Sequence, residues 1–149
     1  MRLRIATPTG LAVDAVDVRH VRAEDATGSF GIQLGHSEFV TTLTVSVVSW
    51  RDANGGEHHA AVRGGVFRVH AGRFVEIATR EAIIGDRLEE LGHAVLFRMR
   101  EAAEMEAKAR TRAAQLHASV VRHLYGYLRG GSGAPPMSVR GPRGDEAKS

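Results

Sequence analysis

The chain has 149 residues, 43% of them hydrophobic and 25% charged, with a net charge of +3 and no cysteine. That length holds one ordinary domain, or a compact domain with an appendage, at the usual ~100–150 residues per domain. The lack of cysteine excludes a disulfide framework, a thiolate nucleophile and Cys-based zinc or iron–sulfur centres. No run reaches the ~18 apolar residues of a membrane span, and the N-terminus lacks the apolar region of a signal peptide. A cytosolic protein is therefore expected, reaching a membrane only through a partner.

Up to about residue 84 apolar residues recur with a period of two, interrupted by turn residues, as in half-buried strands. Leu3/Ile5/Thr7, Val16/Val18, Leu43/Val45/Val47, Val66/Phe67/Val69 and Phe74/Val75/Ile77 are the predicted strand cores. Asp52-Ala53-Asn54-Gly55-Gly56 and His70-Ala71-Gly72-Arg73 are predicted hairpin turns, because Gly and Asn accept the positive φ that such turns need. These short strands predict an antiparallel β-sandwich or barrel over residues 1–85. From Asp86 the apolar period lengthens to three and four, and Leu88, Leu91, Val95, Met99, Ala102, Ala109, Ala113, Leu116, Val120 and Leu124 form one stripe. Asp86 stands where an N-cap would, and Glu89 and Glu90 would complement the helix dipole. Residues 86–129 thus predict a helical arm, either one long helix or a hairpin bent near 107–111. Residues 130–149, rich in Gly, Ser and Pro, predict a disordered tail.

Charge follows the same division. Residues 1–85 carry nine arginines against nine carboxylates, whereas residues 98–129 carry seven cations against three glutamates. The basic field belongs to the arm and calls for an acidic partner there.

The segment Gly28-Ser29-Phe30-Gly31-Ile32-Gln33-Leu34-Gly35-His36-Ser37-Glu38-Phe39-Val40-Thr41-Thr42-Leu43 resembles the hallmark of the ATP synthase epsilon-subunit family, in which a Gly-x-x-Gly-Ile turn leads to Gly-His and an apolar strand. Arg63-Gly64-Gly65-Val66-Phe67-Arg68-Val69 looks like the family's Gly-Gly hairpin. Arg73-Phe74-Val75-Glu76-Ile77-Ala78-Thr79 and Glu81-Ala82-Ile83 look like its next strand and its exit into the helices. The likeness runs in order and spacing over about residues 1–90. Two departures stand out. The prolines that commonly flank the family's Gly-His are replaced by Gln33-Leu34 and Ser37-Glu38. Leu88-Glu89-Glu90-Leu91-Gly92 lacks the Asp and Arg of the Ile-Asp-x-x-Arg-Ala motif through which some members bind ATP. They point to a divergent branch, such as the second type of F-ATPase operon found beside the ordinary enzyme in some bacteria.

The resemblance implies a non-catalytic subunit in the central stalk of a rotary F-type ATP synthase, peripheral on the cytoplasmic face of the cell membrane, without cofactor or metal. It implies a sandwich docked on the gamma subunit and the polar loops of the c-ring, with Gly31, Gly35, His36 and Glu38 as the candidate contact residues. It also implies an arm whose Arg98, Arg100, Arg110, Arg112 and Arg122 meet acidic surfaces of the catalytic alpha/beta subunits and restrain ATP hydrolysis.

Plainer readings stand beside these. Glycines 28, 31 and 35 read as turn geometry, since no Gly-Lys-Ser/Thr follows to make a phosphate loop. His36 reads as a structural loop residue. His58 and His59 point to opposite faces of an extended strand and cannot easily share an ion. The stripe of cations reads equally as a solvated helix face, and the glutamates at 101, 104 and 106 argue against nucleic acid. The rival functions are a small His-rich β-sandwich metalloenzyme and a basic helical adaptor for nucleic acid or protein. The missing Asp and Arg near Leu88 and Leu91 predict that calorimetric titration with ATP shows no micromolar binding.

Overall fold

In the computed structural model, which describes residues 1–130, eight strands precede a short 3-10 turn and one helix. The strands are β1 (Arg2–Thr7), β2 (Gly10–Ala15), β3 (His20–Asp25), β4 (Gly28–Gln33), β5 (Phe39–Arg51), β6 (Glu57–His70), β7 (Phe74–Ala78) and β8 (Ala82–Gly85). The 3-10 turn is Leu88–Leu91, and α1 is His93–Gly130. The tail expected at 130–149 lies, past Gly130, outside the described residues.

The strand order is β2-β1-β7-β6-β5-β3-β4, with β8 added to β6. All pairings are antiparallel, as expected for the sandwich, except β1 with β7, which run parallel. Val13 on β2 and Ile32 on β4 stand at opposite ends of that order yet share one core with Leu3, Val21, Phe67 and Ile77. The sheet therefore folds over on itself into a sandwich. Around Phe67 the core is aromatic: Phe30 and Phe39 pack edge-on to it at 5.1 and 6.3 Å between ring centroids, the arrangement that ring quadrupoles favour.

Period-two alternation reverses inside both long strands. In β6, Ala60 and Val62 face the main core before Gly64 and Gly65, and Phe67 and Val69 face it after them. In β5, Leu43 faces the main core, Val45 and Val47 pack into a second cluster, and Val48 and Trp50 return to the first. The reversal comes where β6 exchanges partners, pairing with β8 through residues 59–62 and with β7 through residues 66–70. Gly64 (φ 68°) and Gly65 (φ 118°) supply backbone conformations that L side chains rarely adopt. A Cβ on Gly65 would stand 2.0 Å from the Ala78 carbonyl oxygen. The Gly-Gly pair that resembles a hairpin is thus a crossover point within a strand.

Other details of the sequence reading change as well. Val16 and Val18 belong to the connection between β2 and β3; Val18 is buried, but Val16 is 61% exposed. Gly31 lies within β4, and its missing side chain leaves room for the His20 ring, whose Nε2 would be 2.7 Å from a Cβ there. The turns at Asp52 and His70 form as expected. The Asp52 carboxylate accepts hydrogen bonds from the His58 ring and from the N–H groups of Asn54 and Gly56, each at 2.9 Å, which hold it below the usual carboxylate range, the His58 bond most strongly.

Asp86 does not cap the helix. Leu88–Leu91 forms a 3-10 turn without a side-chain cap, extended Gly92 interrupts it, and α1 starts at His93 with no acidic residue in its first turn. The reason lies in packing. Leu91 is drawn against Gly85, then Met99 one stripe further on joins it and Ala61 in a second buried cluster flanked by Val45, Val47, Ile83, Val95 and Leu96. Ion pairs border that cluster: Arg98 to Glu81 at 2.8 Å and Arg63 to Glu106 at 3.1 Å. Contacts group Met1–Lys108 into one compact unit, so that the start of α1 packs with the sandwich, and the chain from Ala109 onward into a second. α1 is one helical element with no break at 107–111.

Gly65→Ala is expected to destabilise the fold by about 3 kcal/mol or more, from positive-φ strain added to overpacking against backbone. Gly31→Ala, which only displaces the end of His20, should cost about 1 kcal/mol or less. Urea unfolding of the two variants measures the contrast. A fragment ending at Asp86 should still fold with β structure and a cooperative melt, because the main core draws no residue from beyond β8; an unfolded fragment would make the Leu91–Met99 cluster part of the folding unit.

Candidate docking site

Three connections meet at one end of the sandwich: 16–19, 34–38 and 71–73. Backbone hydrogen bonds bind them. The Gly35 N–H donates to the Gly72 carbonyl at 2.7 Å, the Arg2 N–H to the Arg73 carbonyl at 2.8 Å, and Met1 and Val18 exchange bonds at 2.8 and 2.9 Å. The close approach requires glycine. Gly35 (φ 86°) and Gly72 (φ 64°) both have left-handed backbone, and a Cβ on Gly72 would lie 3.3 Å from the Gly35 Cα. Ala71 also adopts positive φ, at 54°, and its N–H is held by Glu38 Oε1 at 2.8 Å. Glu38 thereby ties the start of β5 to the β6–β7 turn.

His36 is positioned from two sides. Its Nδ1 lies 2.8 Å from the Ser37 carbonyl oxygen, and its ring packs edge-on to Phe39 at 5.8 Å. Phe39 in turn belongs to the aromatic cluster around Phe67, so the core orients the exposed loop. Between the three connections lies an open recess of about 600 Å³, lined by Val16, Asp17, Leu34, Gly35 and Arg73 among others. Arg2, also at the recess, donates from two nitrogens to Asp14 at 2.8 Å each. That hydrogen bonding, above all, holds the Asp14 carboxylate below its usual range.

Of the four expected contact residues, Gly35, His36 and Glu38 come together here. Gly31 does not, since it lies inside β4 beneath His20. Sequence reasoning missed Leu34 and Val16, exposed by 69% and 61% at the same end. Leu34 carried a signal: an apolar side chain where the resembled family commonly has Leu-Pro. Val16 carried none, since its alternation with Val18 mimics a strand.

The expected arm residues divide between the two units. Arg98 is occupied by Glu81, and Arg100 is exposed on the same stretch of α1. Arg110, Arg112 and Arg122 are exposed in the second unit, where the Arg122 Nε donates to the Ala118 carbonyl at 3.4 Å. His58 and His59 do point apart: His58 stacks on Trp50 with centroids 5.6 Å apart, and His59 Nδ1 meets Ser49 Oγ at 2.7 Å. Among the described residues no helix is long and apolar enough to cross a membrane.

This arrangement orders a surface at one end of the sandwich. Residues 1–85 match the family model described as ATP synthase, Delta/Epsilon chain, beta-sandwich domain. The ATP synthase epsilon chain 2 of Paraburkholderia xenovorans is 40% identical over 87% of this chain and 93% of its own. That of Cereibacter sphaeroides is 38% identical over 90% and 92%. In fold, the chain is similar to one in the cryo-EM structure of the Euglena gracilis mitochondrial ATP synthase, with a TM-score of 0.55 and 23% identity over 69% of this chain and 62% of that one. The chain belongs to the family of ATP synthase epsilon chains, non-catalytic subunits of the F1 portion of that membrane-associated enzyme.

Proposed function

We propose that the three-loop end of the sandwich is the surface by which this subunit docks in the central stalk, on the gamma subunit and the polar loops of the c-ring, at the cytoplasmic face of the membrane. The observation that carries this reading is the pair of exposed apolar side chains, Leu34 and Val16, on loops braced by the Gly35–Gly72 and Glu38–Ala71 hydrogen bonds. An exposed loop ordinarily costs entropy to order on binding; one already held by backbone bonds and by His36 on Phe39 costs less. The rival readings as metalloenzyme or nucleic-acid adaptor have no support in the comparisons. Both bacterial relatives carry the name epsilon chain 2, which supports a place in the alternate branch of F-ATPases.

The arm is proposed to act separately, as a conformational restraint on ATP hydrolysis, through Arg110, Arg112 and Arg122 against acidic subunit surfaces. Arg100 is a further candidate. Arg98 is better placed as an anchor of α1 on Glu81 than as an outward contact.

Leu34→Asp with Val16→Asp should reduce copurification with the assembled complex by tenfold or more, since a buried Leu is worth about 1.5–3 kcal/mol. The thermal melt of the isolated subunit should not change, and undiminished assembly would refute the docking surface. Replacing Arg110, Arg112 and Arg122 by Ala should raise ATP hydrolysis several-fold in the intact complex at low salt. Exposed ion pairs contribute only ~0.2–1 kcal/mol each, so the three must act together, and the effect should shrink as salt screens them.

A further inference from the structure

The second unit has an exposed apolar face that the stalk reading leaves unused. Between residues 109 and 130 α1 contains no Asp or Glu, but it does contain Arg110, Arg112, Arg122 and Arg129. At 100° per residue, Leu116, Val120 and Leu124 line up with Tyr127 within about 80°, and Val121 and Leu128 widen the arc to about 140°, with His117 inside the wider arc and Arg110 beside Leu128 at its edge. Leu116, Val120, Leu124, Tyr127 and Leu128 are 67, 56, 58, 87 and 78% exposed. Arg112 borders this arc beside Leu116, and Gln115, Ser119 and Arg122 lie on the other side of the helix.

Width and charge together select the occupant. A partner helix in a coiled coil covers a narrow seam of two positions in seven, less than this arc offers. A second copy of the helix would also bring cations toward cations with no carboxylate between them. A lipid surface, by contrast, receives a wide apolar face and rewards cations along its border when the headgroups are anionic. Arginine can lay its methylenes on apolar surface while keeping its guanidinium among headgroups. Tyr125 and Tyr127 are of the amphipathic type that concentrates at membrane–water boundaries. We propose that residues 109–130 form an interfacial helix that lies on anionic phospholipid, with the Leu116–Val120–Leu124–Tyr127 face inserted and Arg112 and Arg122 among the headgroups.

The inference rests on the helix alone and not on the stalk reading, and its test is separate from any assay of the complex. The full-length chain is sedimented with vesicles of phosphatidylcholine, with or without phosphatidylglycerol as about half the lipid. Expected is binding to the anionic vesicles at low salt, roughly tenfold or more above the neutral ones, falling at ~0.5 M salt where the screening length drops below about 5 Å. Arg112→Gln with Arg122→Gln preserves helix propensity and should lower anionic binding at least tenfold, at about a fivefold factor per cation. Leu116→Ser with Leu124→Ser should abolish it, with circular dichroism and the sandwich melt confirming that the chain still folds. Equal binding to neutral and anionic vesicles, or undiminished binding by either variant, overturns the proposal. A chain that stays in the supernatant with both vesicles overturns it too, and leaves the face to an acidic groove on a protein.

Discussion

The antiparallel ladder between β5 and β6, twelve residue pairs from Phe39↔Val69 to Arg51↔Glu57, is the constraint on which the rest of the sandwich depends. Strands of this length twist, and a single flat pairing could not keep one face toward a single core along its whole length. The chain resolves this at Gly64 and Gly65, where β6 reverses the faces of its side chains and exchanges β8 for β7 as its neighbour. Because Gly65 passes so close to the Ala78 carbonyl, the crossover also fixes where β7 ends. That in turn seats β1 in parallel beside β7 and closes the core.

The same ladder sets both ends of the molecule's first unit. At one end Phe39 begins β5 beneath His36, and the β6–β7 turn returns beside Gly35, so the loops of the proposed docking surface are brought together by strands that the core has already placed. The order imposed by Phe67 on Phe39, and by Phe39 on His36, thus links packing to the geometry of the proposed contact. Along the other half of β5 and β6, the outward turn of Val45, Val47 and Ala61 creates a second apolar patch. Left in water that patch would be a liability. Leu91 and Met99 cover it, and the Arg98–Glu81 and Arg63–Glu106 pairs border the seam. The start of α1 is accordingly set by what it covers and not by a capping residue.

Charge is distributed in keeping with these roles. The sandwich is neutral overall and uses its carboxylates locally, Asp52 and Glu38 to hold turns, Asp14 to hold Arg2, and Glu81 to hold Arg98. Beyond residue 108 the helix carries Arg110, Arg112 and Arg122 and no Asp or Glu of its own. A surface of that kind is suited to meeting negative charge elsewhere, whether on the acidic face of a neighbouring subunit or on lipid, and contributes little to the stability of the fold that carries it.

The sequence by itself determined the class of the protein: period-two alternation followed by period three and four, the turns at Asp52 and His70, and the spaced glycine motifs place an epsilon-type sandwich before a basic helix. Local signals sufficed because alternation, turn chemistry and charge are properties of neighbouring residues. What the tertiary structure alone decided depends on residues far apart in the chain. Gly65 reads as a turn residue until Ala78, thirteen positions later, comes within touching distance. Gly31 reads as a turn until His20 lies over it. Asp86 reads as a cap until Leu91 is drawn onto Gly85. Val16 and Val18 look alike in alternation, and only closure of the sheet buries one and exposes the other. In the docking site, the glycine at 35 and the Gly-His step were legible, but the recess beside Leu34 was not, because it exists only where three connections from separate parts of the chain are hydrogen-bonded together.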